Sequence, residues 1–249
     1  MPLYVGAYSR KYYECDTLKK EITYSKICPI LKIHTLENVN KAQGGVIISE
    51  VETKPMTDEL AKTDHIIKQN TRILRPAEYA QLREHLNPVH QVLCDVSLNT
   101  GMRGAEVWAF VKHPEWYRAS RRCIEMPIGS IKKVRCLHKE RTIHLTPTGC
   151  KAVEMLIGLK LKTPIERSNF HVSLRLGASK CIGTAGITPK MFRKTLVSWL
   201  IKCMPEKALE ISASMGHNLE TMRVHYLGIA FERKDVEEMR EYLKGWGEA

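Results

Sequence analysis

The sequence predicts a mainly α-helical protein with one small antiparallel β-hairpin, an α+β fold. Three observations predict it. From residue 76 onward, apolar residues recur at helical spacing in segment after segment, most of them bounded by a proline, a cap residue or a glycine. Only two short stretches, 121–127 and 141–145, alternate as strands do. The composition, 43% hydrophobic and 27% charged over 249 residues, is that of a chain with a packed core. This length allows one or two domains and needs no disulfide or metal staple.

The elements follow in order. Residues 1–65 are hard to read. Gly44-Gly45 precedes a strand-like VIISEV, and KPMTDELAKTDHIIKQ (54–69) suggests a helix capped by Thr57. The patterning sharpens after residues 66–74, so the chain divides into 1–69 and 70–249. Pro76 suits the first position of a helix through AEYAQLREHL, with Leu82 and Leu86 on one face. A more apolar helix covers 89–98 and is broken by Asn99-Thr100-Gly101; a third starts near Arg103-Gly104. Between the two strands, 128–140 reads as a basic turn or hairpin. Thr146-Pro147 opens a helix with Val153, Leu156 and Ile157 inward. Further helices are expected at 188–203, 206–214, 219–227 and 234–244.

The charge is uneven. The formal net charge is +12, with 39 Lys/Arg against 27 Asp/Glu. Residues 1–65 hold nine of each, so the rest of the chain carries the whole excess. Within it, 112–141 holds nine basic residues against three acidic ones. Such a block is either a solvated face or the footprint of a polyanion. It is not one amphipathic helix with a long apolar face, which disfavours a lipid surface. No run of 18 apolar residues exists, and the first residues lack the apolar core of a secretory signal. The eight cysteines form no CxxC pair, so a zinc ribbon is disfavoured and reduced thiols are expected.

Four pieces carry chemistry. Thr100-Gly101-Met102-Arg103-Gly104-Ala105-Glu106 places Arg103 where a turn enters a helix, beside backbone N–H groups that favour an anion. Lys190 and Arg193 share one face at the start of the 188–203 helix. Gly216-His217 and Tyr226 follow. Each alone is ordinary: a solvated arginine, a basic amphipathic helix, a capping histidine, a packed tyrosine. Their order and spacing are not. Arg193 precedes His217 by 24 residues, and Tyr226 follows it by nine.

Together these boxes resemble the tyrosine recombinase (integrase) family over about residues 70–245. The family's pattern is an arginine and glutamate in TGxRxxE, a hairpin lysine, HxxR, GH, and a nucleophilic tyrosine nine residues later. The resemblance implies that Arg103, Arg193, His217 and Lys190 surround a scissile phosphate, with Glu106 in support. Tyr226 would form a 3′-phosphotyrosyl bond, releasing a 5′-hydroxyl. Neither metal nor ATP is implied, because the covalent bond conserves the phosphodiester energy. Lysine at 190 replaces the usual histidine and looks like archaeal and archaeal-virus integrases. The hairpin lysine, which protonates the leaving oxygen, has three candidates. Aligning Lys139-Glu140-Arg141 on the family's common Lys-Glu-Arg run puts Cys136 at the catalytic position; a longer hairpin brings Lys133 to the tip. Lys133 is the expectation, with Lys139 and Lys132 as alternatives.

Further expectations rest on the same resemblance. Double-stranded DNA is the partner, with Arg121, Arg122, Arg135 and Lys194 as candidate contacts. Val236, Met239, Leu243 and Trp246 form an apolar stripe, which either packs on its own domain or docks into a neighbour to build a tetramer. Residues 1–69 would be a reduced core-binding or assembly module. Accessory DNA-bending proteins are a further partner class, and a cytoplasmic, DNA-associated place follows, with no membrane. Integration by a mobile or viral element is the leading expectation, and resolution of chromosome or plasmid dimers by the same chemistry is the runner-up. A recombinase-fold protein that binds DNA without cutting is the competing class, although such a protein has no need of Tyr226.

Overall fold

In a computed structural model, residues 65–127, 140–161, 167–226 and 228–248 are described. The expected strand 46–51 and the hairpin segment holding Lys132, Lys133, Arg135 and Lys139 lie outside them.

The described chain opens with a small hairpin, β1 (Ile67–Lys68) and β2 (Thr71–Arg72), paired antiparallel. Gln69 and Asn70 both take positive φ, 50° and 56°, as a tight two-residue turn requires. This corrects the helix expected over 54–69 at its C-terminal end; the rest of that helix lies outside the described residues. Arg72, fully buried, holds the hairpin down. It donates to the Ile182 carbonyl at 2.7 Å and to Glu78 Oε1 at 2.5 Å.

Helices α1 (Pro76–Glu84), α2 (Pro88–Thr100) and α3 (Gly104–Lys112) follow. Asn87 caps α2 by accepting from the His90 N–H at 2.9 Å. A three-stranded antiparallel sheet comes next: β3 (Tyr117–Arg118), β4 (Cys123–Met126) and β5 (Arg141–His144). Ile124 faces Ile143, and Met126 faces Arg141. Sequence patterning found β4 and β5 but missed β1, β2 and β3, which are two residues long and too short to show a period.

Helix α4 (Pro147–Gly158) starts as expected, with Thr146 accepting from Gly149 N–H at 2.9 Å. Val153 and Leu156 face inward, whereas Ile157 is only half-buried. Helix α5 (Arg167–Cys181) was not expected. Phe170, Leu174 and Ala178 form its buried stripe, but Val172 and Leu176 between them are more than half exposed. Apolar residues at every second position hid the helical period.

The core is built around α6 (Lys190–Cys203), which packs on α2, α7 (Ala208–Met215), α8 (Leu219–Tyr226) and α9 (Arg233–Leu243). Phe192, Leu196, Trp199 and Leu200 of α6 are buried. Thr195 Oγ1 accepts from Leu74 N–H, and Trp199 Nε1 donates to the Leu74 carbonyl, both at 2.9 Å. These bonds pin the extended segment after β2 to the central helix.

The C-terminal stripe packs on its own domain. Met239, Leu243 and Trp246 are at most 5% exposed; α9 packs on α6 and α1, and the Trp246 ring meets His144 of β5 edge to face. Trp246→Ala should therefore cost about 3–5 kcal/mol of stability, measured by denaturant unfolding, as for other large-to-small core changes. A change below about 1 kcal/mol would show the stripe to be dispensable to this domain. The described cysteines, Cys94, Cys123, Cys150, Cys181 and Cys203, are free thiols.

Candidate active site

Two helix ends and one helix start converge on the arginines. Gly101 closes α2 in the left-handed conformation, φ 60°, and a Cβ there would lie 2.8 Å from Met215 Sδ. The turn throws the chain straight into α3, with Arg103 as its N-cap. Glu106, three residues on and fully buried, accepts from the Arg103 N–H at 2.6 Å and from its Nη1 at 2.8 Å. The Thr100–Glu106 run is thus a turn, a cap and an arginine clamp in one.

Arg193, in the first turn of α6, is 8% exposed. Its Nη1 donates to the Gly101 carbonyl at 2.8 Å; its Nη2 donates to the Met215 carbonyl and meets His217 Nε2 at 2.8 Å. Gly101 and Met215 lie at the C-terminal ends of α2 and α7, where carbonyls lack helical partners and the dipole favours a cation. Burial first, then neighbouring Arg103, pulls the Arg193 guanidinium down to about 10. It stays charged near neutral pH.

Arg141 completes the cluster and was missed as a site residue in the sequence. It donates to Glu106 Oε2 at 2.5 Å and to the Met215 carbonyl at 2.7 Å. Its signal lay in the basic run before β5, but an arginine in a strand has no motif of its own. Three guanidiniums now share one buried carboxylate. The excess positive charge, facing the start of α3, suits a tetrahedral oxyanion.

His217 follows Gly216, which ends α7 with φ 62°. Its ring stacks on Tyr226, centroids 5.6 Å apart at 19°. Burial, then Arg193 and Arg103, pushes its imidazole down to about 3. The usual value is about 6.5, so the folded state resists a proton the unfolded chain takes. Stability from this group is present above pH ~6.5 and is lost as pH falls toward the folded value. In the free protein, His217 should show no NMR titration between pH 5 and 8. A midpoint near 6.5 would refute the caged imidazole.

Tyr226 ends α8 and is 7% exposed. Burial raises its phenol above the ordinary value, and Arg193 and Arg103 oppose that rise. Arg103, Glu106, Arg193, His217 and Tyr226, expected from sequence to meet, are brought together. Lys190 is exposed, one helical turn before Arg193, about 4.5 Å along the axis.

Of the candidate DNA contacts, Arg121, Arg122 and Lys194 lie among the described residues. Arg121 pairs with Glu125 at 2.6 Å, and the Arg122 guanidinium lies beside Gly245. Both stand at the end of β4 opposite Met126, about 13 Å from the Arg141 end. Lys194 is half-buried, its ammonium donating to the Lys68 carbonyl at 2.8 Å. Among the described residues, no three His, Cys, Asp or Glu side chains gather as a metal site. No helix among them is long and apolar enough to cross a membrane.

No protein-family model matches the sequence, and no curated protein does. Solved structures do match. The chain is similar to the Tn1549 transposon integrase in complex with circular intermediate DNA, at 16% identity and a TM-score of 0.53, over 72% of this chain and 69% of that one. A tyrosine-to-phenylalanine variant of that integrase, in complex with transposon right end DNA, matches at 14% identity and 0.50, over 73% and 68%. The fold is that of a tyrosine-recombinase catalytic domain. XerA recombinase is also similar, at 16% identity and 0.49; the match takes in 69% of this chain and 65% of XerA, under two thirds of its length. In this chain the ends of α2 and α7, the start of α3, β5 and α6 build the arginine cluster, and α8 ends in Tyr226 beside it.

Proposed function

We propose that the chain is a site-specific DNA recombinase, an integrase, working through a 3′-phosphotyrosyl intermediate. The observation that carries this reading is the meeting of Arg103, Arg193, His217 and Tyr226 around one electropositive spot. Arg103 and Arg193 hold the non-bridging oxygens and stabilise the charge that grows on them. The Tyr226 oxygen attacks phosphorus, and the bond from phosphorus to the 5′-oxygen breaks. The phenolic proton passes to solvent, and the His217 imidazole, stacked on Tyr226 and bonded to Arg193, completes the cage around the phosphate oxygens. The leaving 5′-oxygen takes a proton from the hairpin lysine, with Lys133 the first candidate and Lys139 and Lys132 behind it. A 5′-hydroxyl from another strand then reverses the step. Lys190, Arg121, Arg122, Arg135 and Lys194 join this reading as phosphate contacts. The fold likeness to an integrase in complex with transposon DNA favours a mobile element as source, with archaeal viruses the class that Lys190 suggests. A tetramer on DNA remains part of the reading. With the α9 stripe buried in its own domain, such contacts use the outer face of α9 or require the helix to move.

The test is covalent trapping. The protein is incubated without metal on nicked duplexes carrying candidate attachment sequences, then denatured. A protein–DNA band that survives denaturation is expected. Tight, salt-sensitive binding without such a band would transfer the assignment to a DNA-binding protein that does not cut.

A further inference from the structure

One guanidinium in the cluster has no place in the chemistry above. Arg141 opens β5, and its side chain is 9% exposed. It joins three segments that are far apart in sequence. One arm donates to Glu106 at the start of α3, and the other to Met215 at the end of α7. Its Nη1 also occupies the space beside Gly216, where a Cβ would come within 2.9 Å. Gly216 is thus required twice, by its φ of 62° and by this guanidinium.

Both partners of Arg141 act on groups that face the phosphate. Glu106 fixes the backbone and the side chain of Arg103. The Met215 carbonyl, shared with Arg193, sets where the next turn places His217. We propose that Arg141 is a positioning residue for strand cleavage, holding Arg103 through Glu106 and His217 through the α7 terminus without itself touching DNA. This rests on the recombinase reading for its catalytic consequence but not for its geometry.

Charge reinforces the argument. Glu106 has no exposed surface, and burial alone would favour its neutral form. Arg141, Arg193 and Arg103 face it and hold it ionised; Arg141 is the strongest of these. A protonated Glu106 would accept fewer bonds from Arg103. The neighbouring His217 stays neutral and does not supply the missing charge.

The test compares Arg141→Met and Arg141→Lys with the wild-type chain. In the free protein, the Glu106 carboxyl is followed by ¹³C NMR across pH. Both wild-type and Lys forms should keep it ionised to lower pH than the Met form. An unchanged Glu106 midpoint in Arg141→Met overturns the coupling, whether or not the protein cuts DNA. On nicked duplex, saturating Arg141→Met should cleave about 10- to 100-fold more slowly, the scale of a displacement near 1 Å. Its affinity for the same DNA should stay within about threefold, because rim and phosphate contacts are intact. Its rate should fall at a higher pH than the wild-type rate does as acid protonates Glu106. Arg141→Lys should keep the pH profile but not recover the rate, since one ammonium cannot span both acceptors. Full recovery in Arg141→Lys, or equal loss of affinity and rate, would make Arg141 a structural ion only. If Arg141→Met does not fold, the Lys form alone decides, through its rate. Absence of a covalent adduct in the wild-type chain would sink the recombinase reading and leave the NMR result standing.

Discussion

Tyr226→Phe should abolish the covalent protein–DNA band and leave the rest of the protein almost unchanged. The substitution removes one oxygen. The ring that stacks on His217 and fills its buried place at the end of α8 stays. Stability should change by about 1 kcal/mol or less, the usual net worth of one hydrogen bond. Affinity for DNA should be unaltered. Loss of the adduct should reach about 10⁴-fold or more, the scale on which removing a covalent nucleophile acts. A denaturing gel, run beside a binding assay on the same preparation, reads both. An adduct of undiminished yield would mean that another residue attacks.

The second large effect separates two arginines that chemistry treats alike. Arg193→Ala and Arg103→Ala should each slow cleavage by about 10²–10³, as loss of one donor to a developing oxyanion does. Their stabilities should diverge. Arg193 is buried, tied to two helix C-termini, and its loss strips charge from beside Glu106. Removing a buried charge partner costs about 3–5 kcal/mol. The Arg103 side chain is 39% exposed, so its pair with Glu106 is worth about 1 kcal/mol at most. Chemical denaturation of the two variants checks the difference. Equal stability would contradict the load placed on Arg193.

What was legible in the sequence were features with a local cause. Gly101 and Gly216 mark backbone turns, Pro76 and Thr146 mark helix starts, and the boxes at Arg103, Arg193, His217 and Tyr226 keep a fixed order. Helix α5 was hidden because Val172 and Leu176 break its polar face. Hairpin β1–β2 was hidden because its stability comes from Arg72, a residue that reaches Glu78 and Ile182 through space. Arg141 was hidden for the same reason: its role depends on partners 35 and 74 positions away. The hairpin lysine and residues 1–64 lie outside the described residues, so those expectations stand as proposals.

The strongest anchors of the arginine cluster, the carbonyls of Gly101 and Met215, belong to the main chain. A substitution of the side chain at 215 does not delete its acceptor; only a change in the path of the backbone does. The geometry of this site therefore depends on where two helices stop rather than on which side chains stand at their ends.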